Sequence, residues 1–270
     1  MPPKKAPLIW MLGFISLNLY VNVLPKLFPF QTLDWFLYWL GFFLLAYLLA
    51  RYVLQLRGLQ SYGLSHHKGW SWNLGLGFLL GFSIWALKYG LFYGLGKFGV
   101  AGVMDSTFVL ALLAQALLAM GFASALNDVM IRGYWLACFW QQPLGKGYLC
   151  LVTLLYVLDD GWNEGLDGIN IVFSSLVGLA LAYTVIKTKS IWMSIGIHWG
   201  SNLTYRLLHG FTGQGIWKLE QVKENSQYEY VSLLVTALLL PLVYLLLKGW
   251  PWKGQQKLAN QFPLPARLSR

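Results

Sequence analysis

Long apolar runs alternate with short polar interruptions along this chain, and the runs have the length that a lipid bilayer requires. They occupy 8–24, 33–56, 73–96 and 107–126, then 148–158, 169–186, 191–208 and 230–247. A helix needs about 20 apolar residues to cross the hydrocarbon core. The pattern therefore predicts an all-α fold, a polytopic transmembrane helix bundle of about eight spans. The run at 148–158 is the weakest, because Asp159 and Asp160 follow it directly. About eleven residues rise only ~16 Å as a helix, so this helix continues past the aspartates or ends inside the bundle. Residues 58–72 are too polar to cross. Their His66, His67, Lys68, Trp70 and Trp72 read as an interfacial segment with indole rings at headgroup depth. Gly75, Gly77 and Gly81 in the third run read as close-packing positions for neighbouring helices. The bundle takes up 1–248, and 249–270 reads as a basic cytoplasmic tail on anionic lipid. Lys4 and Lys5 before the first run resemble a signal peptide. Asn18 and Asn22 interrupt that run and no small-x-small site follows, so it reads as a retained span.

Composition sharpens the membrane reading. Hydrophobic residues make up 57% and charged residues 11%, against roughly 25% charged in a soluble domain. Mean hydropathy is +0.54. A formal charge of +10 raises the question of a nucleic-acid partner, but the charges fall between apolar runs, and no nucleic acid is expected. With the N-terminus inside, Lys4, Lys5, Arg51, Arg57, Lys68, Arg132, Lys146, Lys187, Lys189, Lys248 and the basic tail all face inward. The outer segments receive only Lys26, Lys97, Lys218 and Lys223. That asymmetry predicts an N-in, C-in, multi-pass protein of the cytoplasmic membrane. Cys138 and Cys150 lack metal-ligand spacing and read as packing residues. No cofactor and no resident metal are implied.

Candidate chemistry comes from polar residues inside the apolar runs. Asp128 and Arg132 stand at i, i+4, on one helix face, where they can neutralise each other. Asn127 precedes them. Asp159 and Asp160 close the weak run, and His198 and Asn202 repeat the i, i+4 spacing in the seventh. At helical rise, His198 lies ~10 Å and Asn202 ~16 Å in from residue 191, Asp160 ~18 Å from residue 148, and Asn127 ~20 Å from residue 140. Independent distances thus bring these groups to mid-bilayer, where ionisable residues mark functional sites. Lys88 in the third run would snorkel or pair with Asp159.

Three of these stretches resemble the motifs of the CPBP family, the CAAX proteases and bacteriocin-processing enzymes also called Abi. The family's Glu-Glu-x-x-x-Arg, often followed by Gly and an aromatic, is matched by Asn127-Asp128-Val129-Met130-Ile131-Arg132-Gly133-Tyr134. Its Phe-x-x-x-His aligns with Tyr156 to Asp160, and its His-x-x-x-Asn is intact in His198 and Asn202. The resemblance covers 105–208 and implies an intramembrane peptidase fold opening to the cytoplasm. In the family the first Glu and the second-motif His activate water, while the closing His and Asn hold the oxyanion. Asn127 stands at the Glu position and Asp160 at the His position, and an amide accepts no proton near neutral pH. The resemblance therefore implies a non-catalytic relative, a pseudoenzyme that binds a membrane-protein or peptide partner within the bilayer. Two alternatives stay open. One is an active protease using Asp128 or Asp160 as base, or Asp128, Asp160 and His198 as a divalent-metal site. The other is a transporter-like protein.

Overall fold

The computed structural model describes residues 6–28, 30, 32–139, 144–220, 222–223 and 225–249. The expected tail beyond 249 lies outside the described residues. The chain folds as α1 (Ala6–Asn22), the single turn α2 (Leu24–Leu27), α3 (Thr32–Leu48), α4 (Trp70–Gly94), the strand β1 (Gly99–Val103), α5 (Ser106–Asp128) and α6 (Tyr134–Cys138). Then come α7 (Lys146–Glu164), α8 (Gly168–Thr188), α9 (Trp192–His209), the strand β2 (Trp217–Glu220), α10 (Ser226–Ala237) and α11 (Leu239–Lys248). A wide π turn, Val129–Gly133, joins α5 to α6 without breaking the rod, with Tyr134 N–H bonded to the Val129 carbonyl. Counting α1 with α2, α5 with α6, and α10 with α11, the described residues form the eight helical segments expected.

Six of the segments are long and apolar enough to cross a membrane: Pro7–Leu27, Leu33–Val53, Trp70–Gly94, Ser106–Cys138, Gly168–Thr188 and Ser226–Lys248. The other two, α7 and α9, have 19 and 18 residues, about 27 Å of helix, nearly the core thickness. They are less apolar because Asp159, Asp160 and Asn163, then His198, Asn202 and Arg206, interrupt them. The outer face is apolar, with Leu40, Leu110 and Leu234 each about two-thirds exposed, while Asp128 and Arg132 are fully buried. Such an inside-out distribution belongs to a lipid solvent.

Local chemistry fixes the helix ends. Asp105 accepts the Phe108 N–H at the start of α5, and Asp167 accepts the Ile169 and Asn170 N–H groups at the start of α8. These are side-chain caps for otherwise unpaired donors. The strands pair antiparallel as a small sheet at the end where α4 and α9 finish.

The tightest packing lies between α4 and α9, which run parallel. A Cβ on Gly77 or Gly81 would lie 2.3 or 2.1 Å from the Met193 or Ile197 carbonyl oxygen. A Cβ on Gly196 or Gly200 would lie 2.2 Å from the carbonyl oxygen of Leu74 or Phe78. Two small-xxx-small pairs thus face each other, and only hydrogen fits between the backbones. Gly75, expected in the same role, has open space where its Cβ would be, because it projects from another face of α4.

The segment before α4 folds inward rather than only lying at the interface. Tyr62 is fully buried, the Ile191 N–H and Ser190 hydroxyl bond the Gly63 carbonyl, and the Trp192 indole bonds the Ser65 carbonyl. Of the two cysteines expected to pack, Cys138 is partly buried and Cys150 is exposed on α7.

Candidate active-site region

The expected pair forms. Arg132 Nη1 donates to Asp128 Oδ1 at 2.9 Å, with both side chains fully buried. The π turn that follows Asp128 carries Arg132, and such turns recur at functional sites. Tyr156 on α7 covers the guanidinium, its ring centre 4.7 Å from the central carbon. Tyr148 caps the turn by donating to the Arg132 carbonyl at 3.0 Å. Arg132 Nε and Nη2 are buried without protein partners.

Asp128 also reaches α9. Its Oδ1 accepts the Ser194 hydroxyl, and His198 Nδ1 lies 3.1 Å from its Oδ2. A carboxylate paired with arginine offers only acceptors, so Nδ1 carries the proton and Nε2 is left free of that bond. One turn further along α9, Asn202 Nδ2 donates to Ser124 of α5 at 3.3 Å. The glycine-tight contact with α4 sets the depth at which α9 presents these residues.

A second carboxylate sits on the neighbouring helix and is held differently. Asn127 Nδ2 donates to Asp159 Oδ2 at 2.6 Å, and Asn22 Nδ2 of α1 donates to Asp159 Oδ1 at 2.7 Å. Motif spacing paired Asn127 with Asp160, but Asp160 turns toward α8 and accepts the Ser174 hydroxyl. Adjacent residues on a helix point about 100° apart, so only one of the two aspartates can face α5. Lys88 does not reach Asp159, whose oxygens take the two amides; it lies among aromatic rings instead.

Exposure divides the cluster in an informative way. Asp128 and Arg132 are sealed, whereas Asn127, Asp160, His198 and Asn202 are each partly exposed. Among the described residues no three of His, Cys, Asp and Glu converge to hold a metal ion. With Asp160 bonded to Ser174, the Asp128, Asp160 and His198 metal set does not assemble. An apolar groove of about 410 Å³ lined by Leu149, Leu179 and Tyr183 of α7 and α8 and Leu240 and Tyr244 of α11 contains none of these polar groups.

The profile of a family described as Type II CAAX prenyl endopeptidase Rce1-like matches residues 106–204. This segment is Rce1-like. It begins with α5, takes in the Asp128 network and Asp159, and ends two residues past Asn202. No curated protein and no solved structure matches the chain. The protein is therefore a multi-pass membrane protein, and 106–204 is its CAAX-protease-like segment.

Several contributors to the cluster escaped the sequence reading. Ser194 stands four residues before His198 and so on the same helix face, which was a usable signal. Ser124 and Ser174 are small hydroxyls with no such flag in apolar helices. Asn22 lies outside the Rce1-like segment, and its only signal was an amide interrupting an apolar run.

Proposed function

We propose that this Rce1-like protein binds a membrane partner or peptide at the Asn127, His198 and Asn202 face without hydrolysing it by a Glu-dependent route. The observation that carries the reading is Asn127. At the position where the family activates water there is an amide, and its N–H is spent on Asp159 at 2.6 Å. Such a group donates and cannot take a proton from water. His198 and Asn202 stay partly exposed on α9 and suit hydrogen bonding to a peptide carbonyl. The sorting of lysines and arginines supports a cytoplasmic-membrane location with both termini inside.

The purified protein is expected to leave prenylated and transmembrane peptides uncut. His198→Ala is expected to weaken capture of the native membrane partner during gentle extraction.

One observation favours a second reading. His198 Nδ1 is engaged by Asp128 and Nε2 is turned away from that bond, an arrangement suited to general-base hydrolysis. Peptide cleavage that disappears in Asp128→Asn with the fold intact would overturn the binding reading in favour of this one.

A further inference from the structure

A second charged cluster lies apart from the Rce1-like site, where α4 and α9 end side by side. Lys88 is 6% exposed and stands six residues before the end of α4, about 9 Å of helix. Its ammonium rests over the rings of Trp85, Tyr89 and Phe173 at 4.6, 5.0 and 5.3 Å. The His209 ring meets the same Tyr89 edge-on at 5.8 Å and Tyr205 at 4.8 Å. Arg206 covers Tyr205 at 5.4 Å, and Lys97 covers Phe92 at 4.6 Å, one ring away from Tyr89. Three cations and an imidazole are thus joined through a chain of aromatic rings.

Among the described residues none of these four groups forms an ion pair. The charged groups acting on His209 are Lys97, Lys88 and Arg206, and the one acting on Lys88 is Lys97. Cations gathered in a low-dielectric setting repel one another, and burial removes the water that would screen them. Part of this is offset locally. Two helix C-termini direct carbonyl dipoles at the cluster, aromatic faces attract cations, and Arg206 Nη1 donates to the Gly210 carbonyl at 3.0 Å. Yet Arg206 Nε is buried with no partner, and ring faces are weak substitutes for the oxygen acceptors that an ammonium's three donors seek.

We infer that this cluster binds a phosphate group. Several neighbouring donors of one sign, an arginine among them, match a phosphate's charge and its many acceptor oxygens. The depth of Lys88 corresponds to the boundary between headgroups and acyl chains, and the surrounding rings suit that layer. The phosphate of an anionic phospholipid fits this position, and a soluble phosphate entering from the membrane surface offers the same chemistry. Lys97, Arg206 and His209 are partly exposed and form the approach, with Lys88 behind them.

The test uses the full-length protein, delipidated in neutral detergent and titrated separately with phosphatidylglycerol, phosphatidylcholine and inorganic phosphate. Native mass spectrometry reads lipid stoichiometry, and thermal melting reads all three additions. One phosphatidylglycerol per chain is expected, bound at least tenfold more tightly than phosphatidylcholine. Both Lys88→Met and Arg206→Gln are expected to weaken it at least tenfold. Arg206 is partly exposed, so its variant keeps the test valid if Lys88→Met fails to fold. Stabilisation by inorganic phosphate alone, lost in Arg206→Gln, supports the site and assigns it to a soluble phosphate. Equal binding of the two lipids with no phosphate response, or phosphatidylglycerol binding unchanged in Arg206→Gln, overturns the proposal.

Discussion

Asp128 and Asp159 are two buried carboxylates of one polar cluster, and the protein treats them in opposite ways. Asp128 has a guanidinium, a hydroxyl and an imidazole around it. Asp159 has two amides, one on each oxygen, and among the described residues no ion pair. The first arrangement balances charge and passes an orientation on to His198. The second holds a carboxylate by neutral donors drawn from α1 and α5, and in doing so commits Asn127 as a donor. The half built on α5 and α9 thus holds a polar, oriented imidazole, whereas the half facing α7 is a clamp of neutral donors on a carboxylate. A charge pair is all-or-none, because either partner alone is stranded. An amide clamp loosens in steps.

Breaking the charged half should have the largest consequence. Arg132→Ala leaves Asp128 buried without its guanidinium, a loss of about 3–5 kcal/mol, whereas Asp128→Asn combined with Arg132→Gln is expected to cost less. Thermal melting in detergent measures both; equal melting points would show that the pair does not act as a unit. In the amide half, Asp159→Ala strands the buried donor of Asn22, at about 1–3 kcal/mol, and the partly exposed donor of Asn127, at less. Asp159→Asn keeps one acceptor oxygen and is expected to recover part of that, so identical melting of the two variants would dissolve the clamp. The smallest effect belongs to Ser194→Ala, which removes one hydrogen bond to an already paired carboxylate. About 1.5 kcal/mol is expected, with His198 becoming less ordered; an unchanged histidine NMR spectrum would show that Ser194 does not help to orient the ring.

How much of this was legible in advance depended on whether a signal was local. Helical periodicity alone put Asp128 beside Arg132, and the two are in contact. The same reasoning placed His198 and Asn202 on one face of α9. It does not choose between Asp159 and Asp160, because which of two adjacent residues faces α5 depends on the rotation of α7. That rotation is set by packing against α8, where Ser174 takes Asp160. Lys88 shows the same limit. A lone cation in an apolar run invites a carboxylate partner, and its aromatic partners come from α4 itself and from α8, of which only Trp85 and Tyr89 are near in sequence. Asn22 was visible as an oddity, yet its bond spans 137 positions and no local pattern could have assigned it.

The interlocked glycines of α4 and α9 bear on modularity. Everything that recognises the Rce1-like segment falls within 106–204, yet the wall against which α9 is gauged belongs to α4, which lies wholly upstream. With hydrogens alone between the two backbones, α9 can neither slide nor roll without a collision of carbonyls. The imidazole and amide it displays therefore inherit their height from a helix outside the recognisable segment. Transplanting 106–204 into another bundle would carry the chemistry without its ruler, and an insertion of one residue between Gly77 and Gly81 would miscalibrate a site it never touches.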